Sequence, residues 1–529
     1  MTGLPARSAP AGLPRPEPAR VPVRDGRTRG GWVPGAASRG RRRATAVALA
    51  LVAWVTHAAW RAVAATGAAA PSTPTATATA TATPPPDAIG SGAGDCGGPV
   101  LDGGAVRGAL TPQQDVLLVP GATHPGPAPR ILGATLVPDI RAEQVRAVLV
   151  EPRALRAALP ALIRADVVAT RAQPATPGPA GPAAAVTYRL VAWELEIPFF
   201  NLSGKLWLSE RGDAVEFQLV EGAFAPGWLR FRTRPDPITD GTVVTCESQL
   251  SVESTNWLIR RLARHDPWAE TAMSAAINWV ALRAVALGAG LPPGAPARRP
   301  TGTIEPPTAA VRGDDLLTPA FEPWRALGTL LRVRRREGGR LAFVSGAATV
   351  ARAAPEVAVR LAAPESWTAF PGWKTVLRRP GDPSTFDVVD DIAFVDLDAT
   401  WRLLRGADAA GAAACARAIH GSTTGAMLSW DIGPTPAARS CPQPPSQPPS
   451  PARAPSPDAL ARSAPSPTGP RTTAVLSMHP RLDAAGFIER RMIAAEPLLE
   501  HALAIGLVYA DVTAVADALA REAAGRPIR

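Results

Sequence analysis

The chain has 529 residues, with 59 Pro, 46 Gly, four Cys and a formal net charge of +11, a length that suits about two to four domains. The positive excess is local: residues 1–43 hold ten arginines against Glu17 and Asp25, so the remainder is close to neutral and carries no basic stripe with interleaved aromatics, which argues against nucleic acid as a partner. The cysteines form no CxxC and the six histidines are scattered without ligand spacing, so no zinc, thioredoxin-type or other metal site is expected, and no cofactor.

Residues 1–43 are rich in Pro, Arg and Gly and read as a disordered basic tail. Residues 44–64 open with the one long apolar run, ATAVALALVAWVTHAAW, directly behind Arg41, Arg42 and Arg43. It sits at the short end of the roughly 17–25 residues that a membrane-spanning helix needs. The arginines put its start on the cytoplasmic side, and Ala62-Val63-Ala64 reads as a small-residue cleavage site. Either way the folded part is expected outside the cytoplasm, as a cell-membrane protein with a single N-terminal span or as a secreted or periplasmic one. Residues 65–100, with TATATATATPPP at their centre, form a linker that lacks the apolar surface to offset the entropy of ordering. Export permits disulfides. Of three possible pairings, Cys415–Cys441 closes a single loop and is favoured.

A first folded domain is expected over 101–291. Arg130–Ile140 reads as a strand, and Arg141–Leu149 and Arg153–Leu162 read as short helices split at Pro152. Period-two alternation then predicts strands over Thr187–Ile197, Leu202–Leu208 and Ala214–Val220, with Gly227–Arg232 and Val243–Val252 to follow. From Glu253 to Leu287 the period becomes helical, with a break at Pro267. Residues 292–317 form a second linker. A second domain over 318–525 repeats the order. Leu341–Val350 is a strand and Pro355–Leu361 a helix, with a second short helix ending at Pro371-Gly372-Trp373. Thr385–Val395, Ala399–Leu404 and Ala416–Ile432 are strand regions. A Pro-rich disordered insertion occupies 433–471, then comes a strand over Thr472–Met478 and a helical region from Asp483 to Arg521 that bends at Pro497. Hairpin-linked strands with helices segregated at the ends make the fold α+β.

The two domains share a faint repeat. Val145, Leu149, Pro152 and Leu155 match Val357, Leu361, Pro364 and Trp367 at one offset, and Pro160 and Leu162 match Pro371 and Trp373 one residue short of it. Self-similarity at that distance implies a duplicated domain. The segments PDIRAEQVRAVLVEPRALRAALP and ARAAPEVAVRLAAPESWTAFPGW, with the closing strands TVVTCESQLSV and TTAVLSMHPRL each followed by a long helix, resemble the START-like, or polyketide cyclase/coenzyme Q-binding, superfamily. The resemblance covers about 130–290 and 341–520. It implies two tandem helix-grip domains, each a curved antiparallel sheet wrapped around a long C-terminal helix with an apolar cavity between. It also implies a hydrophobic small molecule or lipid as partner, held by burial of apolar surface.

Within that frame the aromatic side chains Trp193, Phe199, Phe200, Phe217, Phe224 and Phe231 are the candidate ligand-binding residues. Trp207 and Trp228 belong to the same cluster, but Trp207 is out of phase with Leu206 and Leu208 and is expected to face solvent, membrane or another domain. Loops at Pro198–Ser203 and Ala223–Gly227 are candidate gates. Trp257, Trp268 and Trp279 are read as core, with a membrane-contacting rim as the alternative. No catalytic constellation is present. Gly421-Ser422-Thr423-Thr424-Gly425 has Thr where a nucleophile elbow needs Ser, and Gly92–Gly97 matches GxGxxG without a strand before it or a helix after it. The expected function is therefore a binding protein of the cell envelope that sequesters or transfers a lipid, quinone or polyketide-like compound. A cyclase/aromatase enzyme using Arg189 or Glu194, and a non-catalytic interaction module with filled cavities, are the alternatives. No protein partner is specified.

Overall fold

The computed structural model describes residues 107–121, 130–173, 177–178, 181–182, 186–197, 200–265, 268–289, 307, 311–369, 373–392, 395–404, 412–434, 471–482, 487–523 and 525, all within one compact unit, Gly92–Arg529. The basic tail, the apolar run at 44–60, the first linker, Cys96 and Cys441 lie outside them.

The first half runs β1 (Gln114–Pro120), β2 (Ile131–Val137), α1 (Ala142–Val150), α2 (Pro152–Ala158), β3 (Leu162–Gln173), β4 (Val186–Ile197), β5 (Phe200–Arg211), β6 (Ala214–Gly222), β7 (Gly227–Pro235), β8 (Thr242–Gln249), α3 (Trp257–His265) and α4 (Ala269–Ala289). The second runs β9 (Gly328–Arg335), β10 (Leu341–Val350), α5 (Ala354–Ala362), a 3-10 stretch at Pro364–Ala369, β11 (Trp373–Arg379), β12 (Asp382–Ile392), β13 (Val395–Leu403), β14 (Ala412–Gly421), β15 (Met427–Pro434), β16 (Thr472–His479), α6 (Phe487–Ala495) and α7 (Leu498–Ala523). The α+β expectation holds. Several boundaries differ from the sequence reading. Gly433 and Pro434 belong to β15, opposite Thr473 and Thr472, so that part of the expected insertion is strand. The end of the expected second linker is also structured: Val311 and Leu316 are buried.

Local chemistry accounts for the breaks. α1 starts where the Gln144 side chain accepts the Arg141 backbone N–H at 3.1 Å, a common way of satisfying a helix start. It stops before Pro152, which opens α2 from a Glu151 cap. α7 starts after Pro497, with the Glu496 carboxylate accepting the Leu498 N–H at 3.2 Å.

All sixteen of these strands pair antiparallel into one sheet in the order β11-β12-β13-β14-β15-β16-β10-β9-β1-β2-β8-β7-β6-β5-β4-β3. Read outward from the centre, the two halves follow the same order. The joint is the β1–β9 ladder, seven residue pairs from Gln114↔Arg334 to Pro120↔Gly328 centred on Leu117↔Leu331. Neither strand is anticipated by the sequence reading. Both are buried almost throughout, so QDVLLVP shows a continuous apolar run in place of an alternation.

Both long helices lie on one face of the sheet. Leu117, Ile131, Leu331 and Val344 share a core with Trp279 of α4 and Ile505 and Val508 of α7. The opposite face at the joint is covered by Leu316, Phe321 and Trp324, which pack on Val116, Leu118 and Leu330. Close approach of each helix requires a glycine beneath it. A Cβ on Gly133 would overlap Asn278 and Leu282 of α4, and one on Gly346 would crowd Val508 and Val512 of α7 at 2.9 and 3.1 Å. Gly133→Ala is therefore expected to cost about 1–3 kcal/mol of overpacking. Gly346→Ala should cost less, because its contacts are longer, and urea unfolding of the two variants checks the order.

A buried polar cluster sits under the helix–helix contact. The Asp115 carboxylate accepts from Trp279 Nε1 at 2.9 Å, Arg335 Nη1 at 3.0 Å and Thr135 Oγ1 at 2.6 Å. It thus ties β1, β2, α4 and β9 together at zero exposure. Removing one partner strands the others without water. Asp115→Ala is expected to lower stability by about 3–5 kcal/mol, read from the shift of the thermal midpoint.

His501 of α7 stacks on Trp279 at 4.7 Å with an interplanar angle of 16°. Burial, reinforced by Arg335 and Arg283, holds its pKa well below the ordinary value of 6.5, so the imidazole is neutral in the fold. The unfolded chain binds a proton near that ordinary value. Stability is therefore full above it and declines as pH falls below about 6.5, by up to about 1.4 kcal/mol per unit. His501→Phe should flatten that decline in pH-dependent unfolding, and an unchanged slope would assign the acid sensitivity elsewhere.

Candidate functional site

The space between α4 and strands β4–β8 is the candidate site. Alternation along each strand sends Val191, Trp193 and Leu195 of β4, Leu202, Leu206 and Leu208 of β5, Val215, Phe217 and Leu219 of β6, and Leu229 and Phe231 of β7 to the helix side, as their cross-strand pairings show. One end is closed by α1 and α2, whose Val145, Val148 and Leu149 pack with Phe217, Phe231 and Leu282. The other is closed by α3 and the turn after β6: Ile259, Phe224 and Ala225 pack with Leu202, Leu219 and Leu250.

The sequence candidates divide as follows. Phe217 and Phe231 meet edge to face at 5.6 Å and 83° and are buried. Trp193 is on the same face, its ring edge against Gly204, where a Cβ would stand 3.1 Å away. Phe224 is buried in the end cluster with φ of 66°, an uncommon conformation for a bulky residue. Its turn is held by Ser254 Oγ donating to Ala225 O at 2.5 Å and Ala223 N–H to Ser203 O at 2.9 Å. Phe199 lies outside the described residues, and Phe200 is placed in β5 by its backbone alone. Trp207 and Trp228 face the back of the sheet. Trp207 is not exposed there: Tyr188 meets it edge to face at 6.4 Å and the Arg171 guanidinium lies 5.9 Å from its ring centre. Of the three helix tryptophans, Trp268 and Trp279 are core, whereas Trp257 is 61% exposed.

The polar groups anticipated for catalysis do not converge. Glu194 faces the back, where it accepts from Asn201 Nδ2 at 3.1 Å. Arg189 is on the helix side but at the rim, 3.5 Å from Glu210, which also binds Arg146 of α1 at 3.2 Å. Gly421–Gly425 turns β14 into β15, so it is a hairpin and not a nucleophile elbow. Among the described residues no group of three His, Cys, Asp or Glu side chains is placed to hold a metal.

Polar atoms that the sequence reading did not single out lie inside instead. Glu270, Ser274, Asn278 and Leu282 recur every four residues along α4 and share a face. Asn278 Nδ2 donates to Ser248 Oγ at 2.8 Å and Cys246 O at 3.2 Å. Its Oδ1, the Ser274 hydroxyl and Trp193 Nε1 are buried without a partner. Burial pushes the Cys246 thiol up, so it is an inert apolar filler. The four-residue spacing on α4 was the only signal in the sequence for this row.

The corresponding space in the second half is packed with large rings, with Leu403 and Ile432 only partly buried beside them. Trp367, Phe386, Trp430 and Tyr509 are at most 1% exposed, Trp401 is 5% exposed, and Trp367 meets Phe386 at 5.4 Å. In the first half, by contrast, the inward-facing Trp193, Leu195, Leu206, Leu229, Met273 and Ile277 are only partly buried.

No protein-family profile and no curated protein matches the chain. Similar solved structures include a STAR-related lipid transfer protein from Xanthomonas axonopodis, 15% identical over 34% of this chain and 96% of that one, with a TM-score of 0.23. Others are the di-domain ARO/CYC StfQ of the steffimycin biosynthetic pathway, 12% identical over 74% and 99% with a TM-score of 0.21, and the di-domain ARO/CYC BexL of the BE-7585A pathway, 10% identical over 72% and 98% with a TM-score of 0.21.

Proposed function

We propose that the chain is a tandem pair of helix-grip domains, about 101–291 and 318–525, whose first copy binds a hydrophobic small molecule of the lipid, quinone or polyketide class. The observation that carries this reading is the contrast between the two grips. Apolar side chains that point between sheet and helix are normally the most buried in a domain. Six in the first half retain solvent contact, which fits a cleft awaiting a ligand, while the same space in the second half is filled by aromatic rings. The second copy then acts as a packed buttress, as the interaction-module reading has it.

The ligand gains by burying apolar surface against Leu206, Leu229, Met273 and Ile277, at about 25 cal/mol per Å². The unpartnered Trp193 N–H, Ser274 hydroxyl and Asn278 amide oxygen supply one or more hydrogen bonds that fix its orientation, and leaving them unsatisfied is costly in the empty state. These three groups orient and do not move protons; the carboxylate of the same row, Glu270, accepts the Val252 N–H at 3.4 Å and is the group on which a cyclase/aromatase reading would rest. The apolar run at 44–60 tethers or exports the protein, which puts this binding in the cell envelope.

Solvent extraction of the purified full chain followed by mass spectrometry is expected to recover one hydrophobic compound in near-stoichiometric amount. Leu206→Arg should reduce that recovery by more than about tenfold, because a guanidinium in an apolar grip costs several kcal/mol. Lipid carried by the apolar run would persist in the variant. Equal recovery from both proteins, with unfolding curves showing the variant folded, would overturn the assignment.

A further inference from the structure

Helix α3 has two unlike faces. Ile259 and Ala263, one turn apart, pack into the apolar cluster that closes the end of the first grip. Trp257, Arg260, Arg261 and Arg264 fall at i, i+3, i+4 and i+7 and share the opposite face, where they line a surface pocket of about 350 Å³. Trp257 is the only aromatic among the exposed large apolar side chains described. Arg260 Nη1 donates to the Glu253 backbone oxygen at 3.3 Å.

We propose that this face of α3 docks on an anionic phospholipid surface. Charge complementarity selects the occupant: the guanidinium groups of Arg260 and Arg264 suit phosphate, and an indole between them suits the headgroup layer, where tryptophan partitions. A stable protein partner needs about 1,000 Å² or more of complementary surface, which one nine-residue helix does not supply. A nucleic acid strand needs a longer basic track with several stacking rings. Docking stands on the geometry of α3 alone. Its consequence, that the end of the grip closed by α3 faces the lipid surface, rests on the hydrophobic-ligand reading above.

The test is hydrogen–deuterium exchange of the full chain reconstituted in vesicles, because a local readout separates α3 from any anchoring by the apolar run. Vesicles of phosphatidylcholine alone are compared with equimolar phosphatidylcholine and phosphatidylglycerol. Protection of 257–265 on the anionic vesicles only, reversed by high salt, is expected. It should be lost in the double variant Arg260→Gln, Arg264→Gln, at roughly fivefold in docked fraction per arginine, and weakened in Trp257→Ala. Unchanged exchange in α4 confirms that the variants are folded. Equal exchange on both vesicle types overturns the proposal, as does protection by inorganic phosphate or by single-stranded DNA at matched charge without vesicles. Loss of the extracted ligand in Leu206→Arg with α3 docking intact separates the two readings.

Discussion

The antiparallel pairing of β1 with β9 is the contact on which the architecture depends. Each strand would otherwise be an exposed edge, with a row of unsatisfied backbone groups that invites pairing with another chain. Joined, they make the two half-sheets one and leave only β3 and β11 as edges. The joint is buried on both sides, by the paired helices α4 and α7 on one and by Leu316, Phe321 and Trp324 on the other. Asp115 then draws Arg335 and Trp279 onto the same point. A buried ion pair is a weak source of net stability but penalises misregistration, because a shift of one residue would turn the carboxylate to the apolar back face.

The helices show the same logic. α4 and α7 are long and apolar enough to cross a membrane, yet each has a second reason to be apolar on more than one side. One side meets the sheet and another meets the partner helix, where Trp279 stacks on His501. A helix apolar nearly all round belongs in a core as readily as in lipid. The buried Asn278 and His501 and the half-buried Arg283 on these helices find partners or neighbours in the cluster at the joint.

Identical strand order has led to unlike interiors. In the second half the strands facing α7 carry Phe386, Trp401 and Trp430, and Trp367 drops in from the 3-10 stretch to fill the space. In the first half the matching positions carry smaller or more widely spaced side chains, and α3 closes the end with Ile259 and Ala263. On the proposed reading, one scaffold separates binding from bracing. The first half keeps a partly buried apolar lining, while the second packs rings against the shared sheet.

Period-two alternation over 187–220 determined which residues of β4, β5 and β6 face the helix, so Trp193 and Phe217 were legible as helix-facing residues. The prolines at 152, 267 and 497 marked helix ends because they cannot donate a backbone hydrogen bond. Trp207 was also assigned to the right face, but not its burial, since the Tyr188 ring and the Arg171 guanidinium that cover it come from two other strands. What only the tertiary structure decided was whatever depends on contacts between distant segments. β1 and β9 are buried on both faces and so lack the alternation that marks a strand. The fullness of each grip depends on the volumes of side chains brought together from six strands and a helix, and the polar row on α4 acquires meaning only once it lies over β2 and β8.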